Sequence, residues 1–451
     1  MQQQLFAEDS LIRIVNGRLA IEGVDAEVIA ERFGTPLYVT SEQQIRANYR
    51  SLYRAFSSRY PKVALLYANK ANNSLAVRRI LTMEGAGGDC FGLGELAMCL
   101  QSGVPPQRLV LNGSNKQRAE LEVAIAHGVT INVDQPEELE TIAQLARHRG
   151  LRASVNIRVL PFTYVEPSTL KPELAEIAAD RSHDKWGMDR ATVRAVVGRA
   201  LALDDVSLRG LHMHVSRLRP TEEPFTLAAR LIVSCIAELR DVYGWQPEVL
   251  DIGGGYAHFR DPESGCPARD HRVASAEEYA SAIISALVQE LESRRLAQPE
   301  LWLEPGRHLV SNATVLLTRV GSLKKLPSSD VTWVNVDAST NHCLRTSLQG
   351  YRYEIVHTTR GDEPARMIAN VTGPTCTIDL LAGQRPLQTV QPGDLLAVLD
   401  VGGYAEVLAN QFNLIPRPAS VLVCGDRVDV VRRRETLTDL FTAQVVPARL
   451  M

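Results

Sequence analysis

Short apolar runs alternate with longer amphipathic stretches through the first two thirds of the chain. Leu65–Ala68 precedes a stretch of helical period from Ser74 to Met83, and Arg108–Leu111 precedes Lys116–His127. Thr130–Val133 precedes Pro136–Arg149, and Ala153–Val159 follows. Gly210–His214 precedes Pro224–Tyr243, Val249–Ile252 precedes Ala276–Arg294, and Leu301–Leu303 closes the series. Repeated β-then-α units predict parallel strands joined by crossover helices. Seven or eight such units in succession predict a (β/α)8 barrel of the TIM type over residues 36–310.

From about residue 311 the texture changes. Val315–Val320, Thr332–Val336, Arg366–Val371, Leu395–Asp400, Ser420–Val423 and Val428–Val431 are short and β-rich, with turns such as Gln391-Pro392-Gly393-Asp394. This predicts a C-terminal β domain, a sandwich or barrel, over 311–451. Residues 1–35 carry two more strand-like runs, Ile12–Val15 and Arg18–Ile21, joined by the hairpin dipeptide Asn16-Gly17. They are expected to join the β domain, so the fold class is α/β plus β.

The totals narrow the function classes. The chain has 451 residues, 45% hydrophobic and 22% charged, with a net charge of −3. No long run of one sign is present, which argues against nucleic acid or an anionic membrane as partner. No segment reaches the ~18 consecutive apolar residues of a membrane helix, and no secretory leader is visible. The seven cysteines are scattered without a C-x-x-C pair, which suits reduced thiols and the cytoplasm.

In a barrel, reactive groups sit at the carboxyl ends of strands. Lys70 falls there, in Tyr67-Ala68-Asn69-Lys70-Ala71-Asn72 after the run Val63–Leu66. An isolated lysine at such a place is ordinarily one whose stem packs while its head stays in water. A desolvated one loses its proton more easily and can form a Schiff base. Gly253-Gly254-Gly255 and Glu304-Pro305-Gly306-Arg307 also follow strands. Three glycines let a backbone approach an anion such as phosphate. Arg307 can grip a phosphate or carboxylate, and Glu304 can keep a pyridine nitrogen protonated; the alternative for this pair is a mutual salt bridge. His212 and His214 alternate on a strand-like run, so they are expected to face opposite ways. That argues against a shared metal and leaves one imidazole for the barrel mouth. In the β domain, Cys376 is a proton donor or a structural thiol, and Tyr404 follows the bend Asp400-Val401-Gly402-Gly403.

Taken in order, these motifs resemble those of the fold type III, pyridoxal-phosphate-dependent amino-acid decarboxylases, and most of all the diaminopimelate decarboxylase branch. The resemblance runs from about Thr35 to Leu440. It includes Tyr67-Ala-x-Lys70-Ala-Asn72, Asp89, Gly94-Glu95, Lys116, Lys185-Trp186-Gly187, His212-x-His214, Gly253–Gly255, Glu304–Arg307, Asp337, Arg345, Cys376, Tyr404 and a matched C-terminal tail. It implies a carboxy-lyase that binds pyridoxal 5'-phosphate, with no metal. Lys70 would hold the cofactor covalently, with Asp89 near it, His214 stacked on its ring and Glu304 at the ring nitrogen. Gly253, Gly254, Gly255 and Tyr404 would bind the phosphate. Arg307, Arg345 and Tyr404 would bind the amino-acid substrate. The resemblance further implies a homodimer with shared active sites, in which Cys376 of the second copy returns a proton to Cα.

Four departures bear on the substrate. The family's Gly-Ser-Gln after His-x-His is here Val215-Ser216-Arg217, leaving Ser216 as the candidate phosphate ligand. The glutamate expected after the cysteine, which reads the distal ammonium of diaminopimelate, is Thr377. The aspartate expected four residues after the cysteine comes three after it, at Asp379, and a substrate-contacting tyrosine is Gln349. The expectation is a decarboxylase for a diaminopimelate-like, D- or L-diamino acid, or for a conjugated, siderophore or other secondary-metabolite intermediate. The alternatives are a meso-diaminopimelate decarboxylase of lysine biosynthesis, a racemase on a related barrel, and a non-catalytic relative.

Overall fold

The computed structural model describes residues 6–7, 9–215, 221–258, 260, 273–346, 351 and 353–451. Ser216, Arg217 and Gln349 therefore lie outside the described residues. The chain divides into two compact units, one from described residues within 48–258 and 272–308 and one from the rest.

The chain opens with β1 (Ile12–Val15), β2 (Arg18–Ile21), β3 (Val24–Asp25) and β4 (Leu37–Ser41), which belong to the second unit. The first unit holds β5 (Val63–Ala68), β6 (Gly87–Cys90), β7 (Leu109–Leu111), β8 (Thr130–Val133), β9 (Ala153–Arg158), β10 (Val206–His212), β11 (Val249–Asp251) and β12 (Glu300–Leu303). These eight run parallel in chain order, and β12 closes on β5 through Leu301–Val63, Trp302–Ala64 and Leu303–Leu65. The barrel is the TIM-like one expected from the alternating runs. Ala64 and Leu66 of β5, two residues apart, meet Val110, Val249 and Trp302 in one buried cluster, as strand alternation requires.

The helices between strands lie close to the predicted stretches: Leu75–Met83, Arg118–His127, Pro136–His148, Glu223–Tyr243 and Ala276–Ser293. Ser275 caps the last of these in a reciprocal pair with Glu278, which satisfies N–H groups that the helix itself cannot. β6 carries no apolar run, and the sequence pattern passes over it. Its Gly87 and Gly88 are required by crowding: a Cβ on Gly87 would stand 2.2 Å from the Arg108 carbonyl oxygen. The fully buried guanidinium of Arg78 donates to the carbonyls of Ala86 and Gly87 at the start of this strand.

The second unit is a branched sheet. Its main path runs β17 (Leu380–Leu387), β16 (Met367–Thr372), β14 (Val331–Val336), β13 (Thr314–Lys325), β4, β19 (Ala419–Cys424) and β20 (Arg427–Arg432). β18 (Leu395–Val398) pairs with β13 and with β15 (Ile355–His357). β4 is buried throughout and sits between β13 and β19, so residues 36–47 group with this sheet rather than with the barrel. β1 and β2 form the hairpin read from Asn16-Gly17, both at positive φ. They make a small sheet with β3, and Ile12, Leu19 and Ile21 pack into the same apolar cluster as Leu37, Val315 and Val421.

Candidate active site

Lys70 lies on a single 3-10 turn, Asn69–Ala71, immediately after β5. Its ammonium is 2.5 Å from Asp89 on the adjacent strand β6 and 4.2 Å from the centre of the Phe91 ring. Asp89 is fully buried, and Glu304, one residue beyond β12, is almost so. A single amide joins the two carboxylates: Asn112 Nδ2 donates to Asp89 Oδ1 at 2.8 Å and to Glu304 Oε1 at 2.7 Å. The other Glu304 oxygen faces His212 Nε2 at 3.4 Å.

Burial alone would raise both acids, and their environments split them. Burial dominates at Asp89 and, with the charge of Glu304, holds it above the ordinary aspartate value against the pull of Lys70. At Glu304 the cost of burial is outweighed by His212 and Lys70, and the carboxyl falls well below its ordinary value. Asp251, at the end of β11, is pushed well up by burial and by Glu304. Glu304 is thus the acid of the cluster held toward its ionised form, while Asp89 and Asp251 are pushed the other way.

The glycine loop follows β11. Gly253 N–H donates to Asp251 Oδ1 at 2.9 Å, and Glu304 N–H donates to the Gly253 carbonyl at 2.9 Å. Gly253 and Gly255 adopt positive φ, and a Cβ on Gly254 would stand 2.1 Å from the Glu304 carbonyl oxygen. Only glycine permits this approach. Gly254 N–H donates to His214 Nδ1 at 3.3 Å, which leaves the ring proton on Nε2. Burial, then the charge of Lys70, pushes His214 well below the ordinary histidine value, so the ring is neutral. The strand ends at His212, so alternation does not carry on to His214. His212 faces Glu304, and His214 meets the glycine loop at Gly254. His212, Asp251 and Glu304 offer ligand atoms within 4.8 Å of one another. The set can hold a cation, and it also surrounds Glu304, the carboxylate that a pyridine nitrogen needs.

The residues suit pyridoxal phosphate. An amine for a Schiff base, a neutral imidazole, an ionised buried acid and a glycine loop all lie at the carboxyl ends of neighbouring strands. Arg307 opens the short helix Arg307–Val310 after Glu304.

The sheet unit holds the other expected residues. Arg345 is buried, with its guanidinium 4.1 Å from the Tyr351 ring centre and 5.0 Å from that of Tyr404. Tyr404 itself adopts positive φ. Cys376 is exposed, and its N–H donates to Asn413 Oδ1. Thr377 Oγ1 is 2.9 Å from Thr375 Oγ1. Asp379, 3% exposed, accepts from Ser339 Oγ, Thr340 N, Thr340 Oγ1 and Thr375 N at 2.6–3.0 Å. It ties the Cys376 loop to the turn at 339–340.

Asn112, Asp251 and Phe91 were not legible as site residues from the sequence. A signal did exist for two further asparagines: Asn132 and Asn156 interrupt otherwise apolar strand runs and are completely buried.

Comparison with known proteins agrees with this geometry. The family described as "Pyridoxal-dependent decarboxylase, pyridoxal binding domain" matches residues 43–311. A diaminopimelate decarboxylase of Methanothermobacter thermautotrophicus is 36% identical over 96% of this chain and 97% of its own. That of Bacillus subtilis is 34% identical over 94% of each. The crystal structure of diaminopimelate decarboxylase from Methanocaldococcus jannaschii superposes with a TM-score of 0.89 at 31% identity, over 98% of this chain and 99% of that one. Barrel and site together define a pyridoxal-phosphate enzyme of the decarboxylating type. The chain belongs to the pyridoxal-dependent decarboxylases, in the diaminopimelate decarboxylase branch, and acts on an amino acid.

Proposed function

We propose that the substrate is an amino acid related to diaminopimelate whose distal end lacks a free ammonium or carries it masked, as in a conjugate. One observation carries this reading. Thr377 stands where the branch has an ammonium-reading glutamate, and Asp379, the nearest acid in sequence, already accepts four hydrogen bonds within the protein. A buried ammonium without its carboxylate costs about 2–5 kcal/mol. A second reading, meso-diaminopimelate itself, draws on identity of 32–36% to decarboxylases named for that substrate.

In this reading each residue has a task. Bound pyridoxal phosphate supplies an electron sink for the pair left when the Cα carboxylate departs as carbon dioxide. Lys70 would hold the cofactor through its amine. Glu304 would keep the ring nitrogen protonated. His214 would hold the ring, and Gly253–Gly255, Ser216 and Tyr404 would hold the phosphate. Arg307 and Arg345 would take the distal carboxylate, and the residue types at Thr377 and Gln349 would set which distal group is accepted. Cys376 of a second copy delivers the proton to Cα. Ile378, two residues after Cys376, and Phe412 and Leu414, which flank the Asn413 that accepts from Cys376 N–H, are exposed and support a homodimer. Six described cysteines are free thiols, which supports a cytoplasmic setting.

The test is carbon dioxide release from cofactor-loaded protein. The panel is meso-diaminopimelate, its mono-N-acylated and amide-linked forms, D- and L-lysine, D- and L-ornithine, and D- and L-arginine. The proposal expects a member with its distal ammonium masked to exceed meso-diaminopimelate and the free diamino acids in kcat/KM. Efficient conversion of meso-diaminopimelate to lysine, above every other member, overturns it.

A further inference from the structure

Asn112 follows β7, Asn132 lies in β8 and Asn156 in β9, and the register aligns them. Asn132 and Asn156 are paired Cα partners, and Leu111 pairs with Ile131 one step before. All three side chains are buried. They form a directed relay: Asn156 Nδ2 donates to Asn132 Oδ1 at 3.0 Å, and Asn132 Nδ2 donates to Asn112 Oδ1 at 3.0 Å. Asn112 Nδ2 then donates to both Asp89 and Glu304. Asn156 Oδ1, at the far end, accepts no hydrogen bond among the described residues. It also faces Gly210, where a Cβ would stand 2.9 Å from it.

We propose that Asn112 is a positioning residue of the cofactor site, aimed by Asn132 and Asn156 so that one neutral amide holds both Asp89 and Glu304. Two buried carboxylates this close repel, and each prefers to pick up a proton. Donors aimed at both favour the charged forms without adding a charge. A lysine or arginine in that place would instead compete with Lys70 for Asp89 and with the ring nitrogen for Glu304. The relay matters because an unaided amide can turn its oxygen toward the acids, and acceptance of an N–H at Oδ1 forbids that turn. The charged and titratable groups facing the cluster are Lys70 after β5, Asp89 and Cys90 from β6, Glu95 from the helix Leu93–Gln101, His212 at the end of β10 and His214 beyond it, Asp251 from β11 and Tyr256 after it, Glu304 after β12 and, through its charge on His214, Arg158 from β9. The inference rests on the cofactor lying in the barrel and is independent of the substrate proposed above.

The experiment strips the cofactor, titrates pyridoxal phosphate back by absorbance across pH, and records thermal stability. Asn112→Leu is expected to weaken cofactor affinity about tenfold or more and to move its acid limb up by roughly one pH unit. Asn112→His, whose single Nδ1 N–H can serve only one of the two acids, is expected to recover only part of both. Asn156→Leu, two amides away, is expected to move the limb in the same direction by less. Unchanged affinity and acid limb in Asn112→Leu overturn the proposal, as does a fall in melting temperature with the limb unmoved. Where Asn112→Leu does not fold, Asn132→Leu and Asn156→Leu decide: a raised limb supports the relay and an unmoved one overturns it.

Discussion

At the scale of residues, the reactive amine and its carboxylates are controlled by burial. Lys70→Ala removes the amine that holds the cofactor, and carbon dioxide release should fall by more than about a thousandfold, read in single-turnover assays. The absorbance of the protein-bound Schiff base should vanish with it. A second residue gives a pH signature. Glu95, in the first turn of the helix Leu93–Gln101, accepts from Phe91 N–H at 2.7 Å, and burial holds its carboxyl up at about 7. A raised folded-state value means the folded protein binds this proton more tightly than the unfolded chain does. Glu95 therefore costs stability increasingly as pH rises from the ordinary glutamate value through 7. Glu95→Gln keeps the acceptor and removes the charge. It should stabilise the protein by about 1–2 kcal/mol at pH 8 and by almost nothing at pH 4, allowing for partial exposure. Equal melting temperatures for both proteins at pH 8 would contradict this.

At the scale of elements, what the apolar pattern can reveal depends on what each strand must bury. Seven barrel strands read directly as apolar runs because both faces of a parallel barrel are covered. β6 did not, since Gly87 and Gly88 answer to crowding by Arg108, Cys99 and Leu109 rather than to hydrophobicity. β17 hid for a related reason: Gly383, Gln384, Arg385 and Pro386 break any alternation, and the register with β16 shifts twice. Lys70, Glu304 and the glycine loop were legible because their residue types are unusual at strand ends. Asp89 was reached through motif resemblance alone, and the asparagine relay needed the register between strands. The crowding at β6 makes a testable statement. Gly87→Ala would force a Cβ against a backbone carbonyl that cannot swing away, and should destabilise the protein by about 2–3 kcal/mol in denaturant unfolding. Gly254→Ala meets the Glu304 carbonyl at a similar distance, so its expected defect is a comparable loss of stability together with weakened cofactor binding.

At the scale of the whole molecule, the chain's two units divide the expected chemistry. Lys70, Asp89, His214, Gly253–Gly255 and Glu304 belong to the barrel unit, whereas Cys376, Arg345 and Tyr404 belong to the sheet unit. β4 shows why the boundary expected at residue 36 falls at 48 instead: Leu37–Ser41 has the apolar run of a barrel strand, but it hydrogen-bonds to β13 and β19, nearly 300 and 400 residues away in sequence. Local pattern identifies a strand and says nothing about a partner that distant. The shared-site homodimer is the corresponding proposal about assembly, and complementation tests it. Lys70→Ala and Cys376→Ala each disable every site in their own dimers. Unfolded together in equal amounts and refolded, they form mixed dimers in about half of all pairings. If Lys70 of one copy works with Cys376 of the other, each mixed dimer has one site carrying both defects and one carrying neither. Activity should then return to about a quarter of the unmutated level. If both residues act within one copy, every site in the mixture keeps one defect and mixing restores nothing.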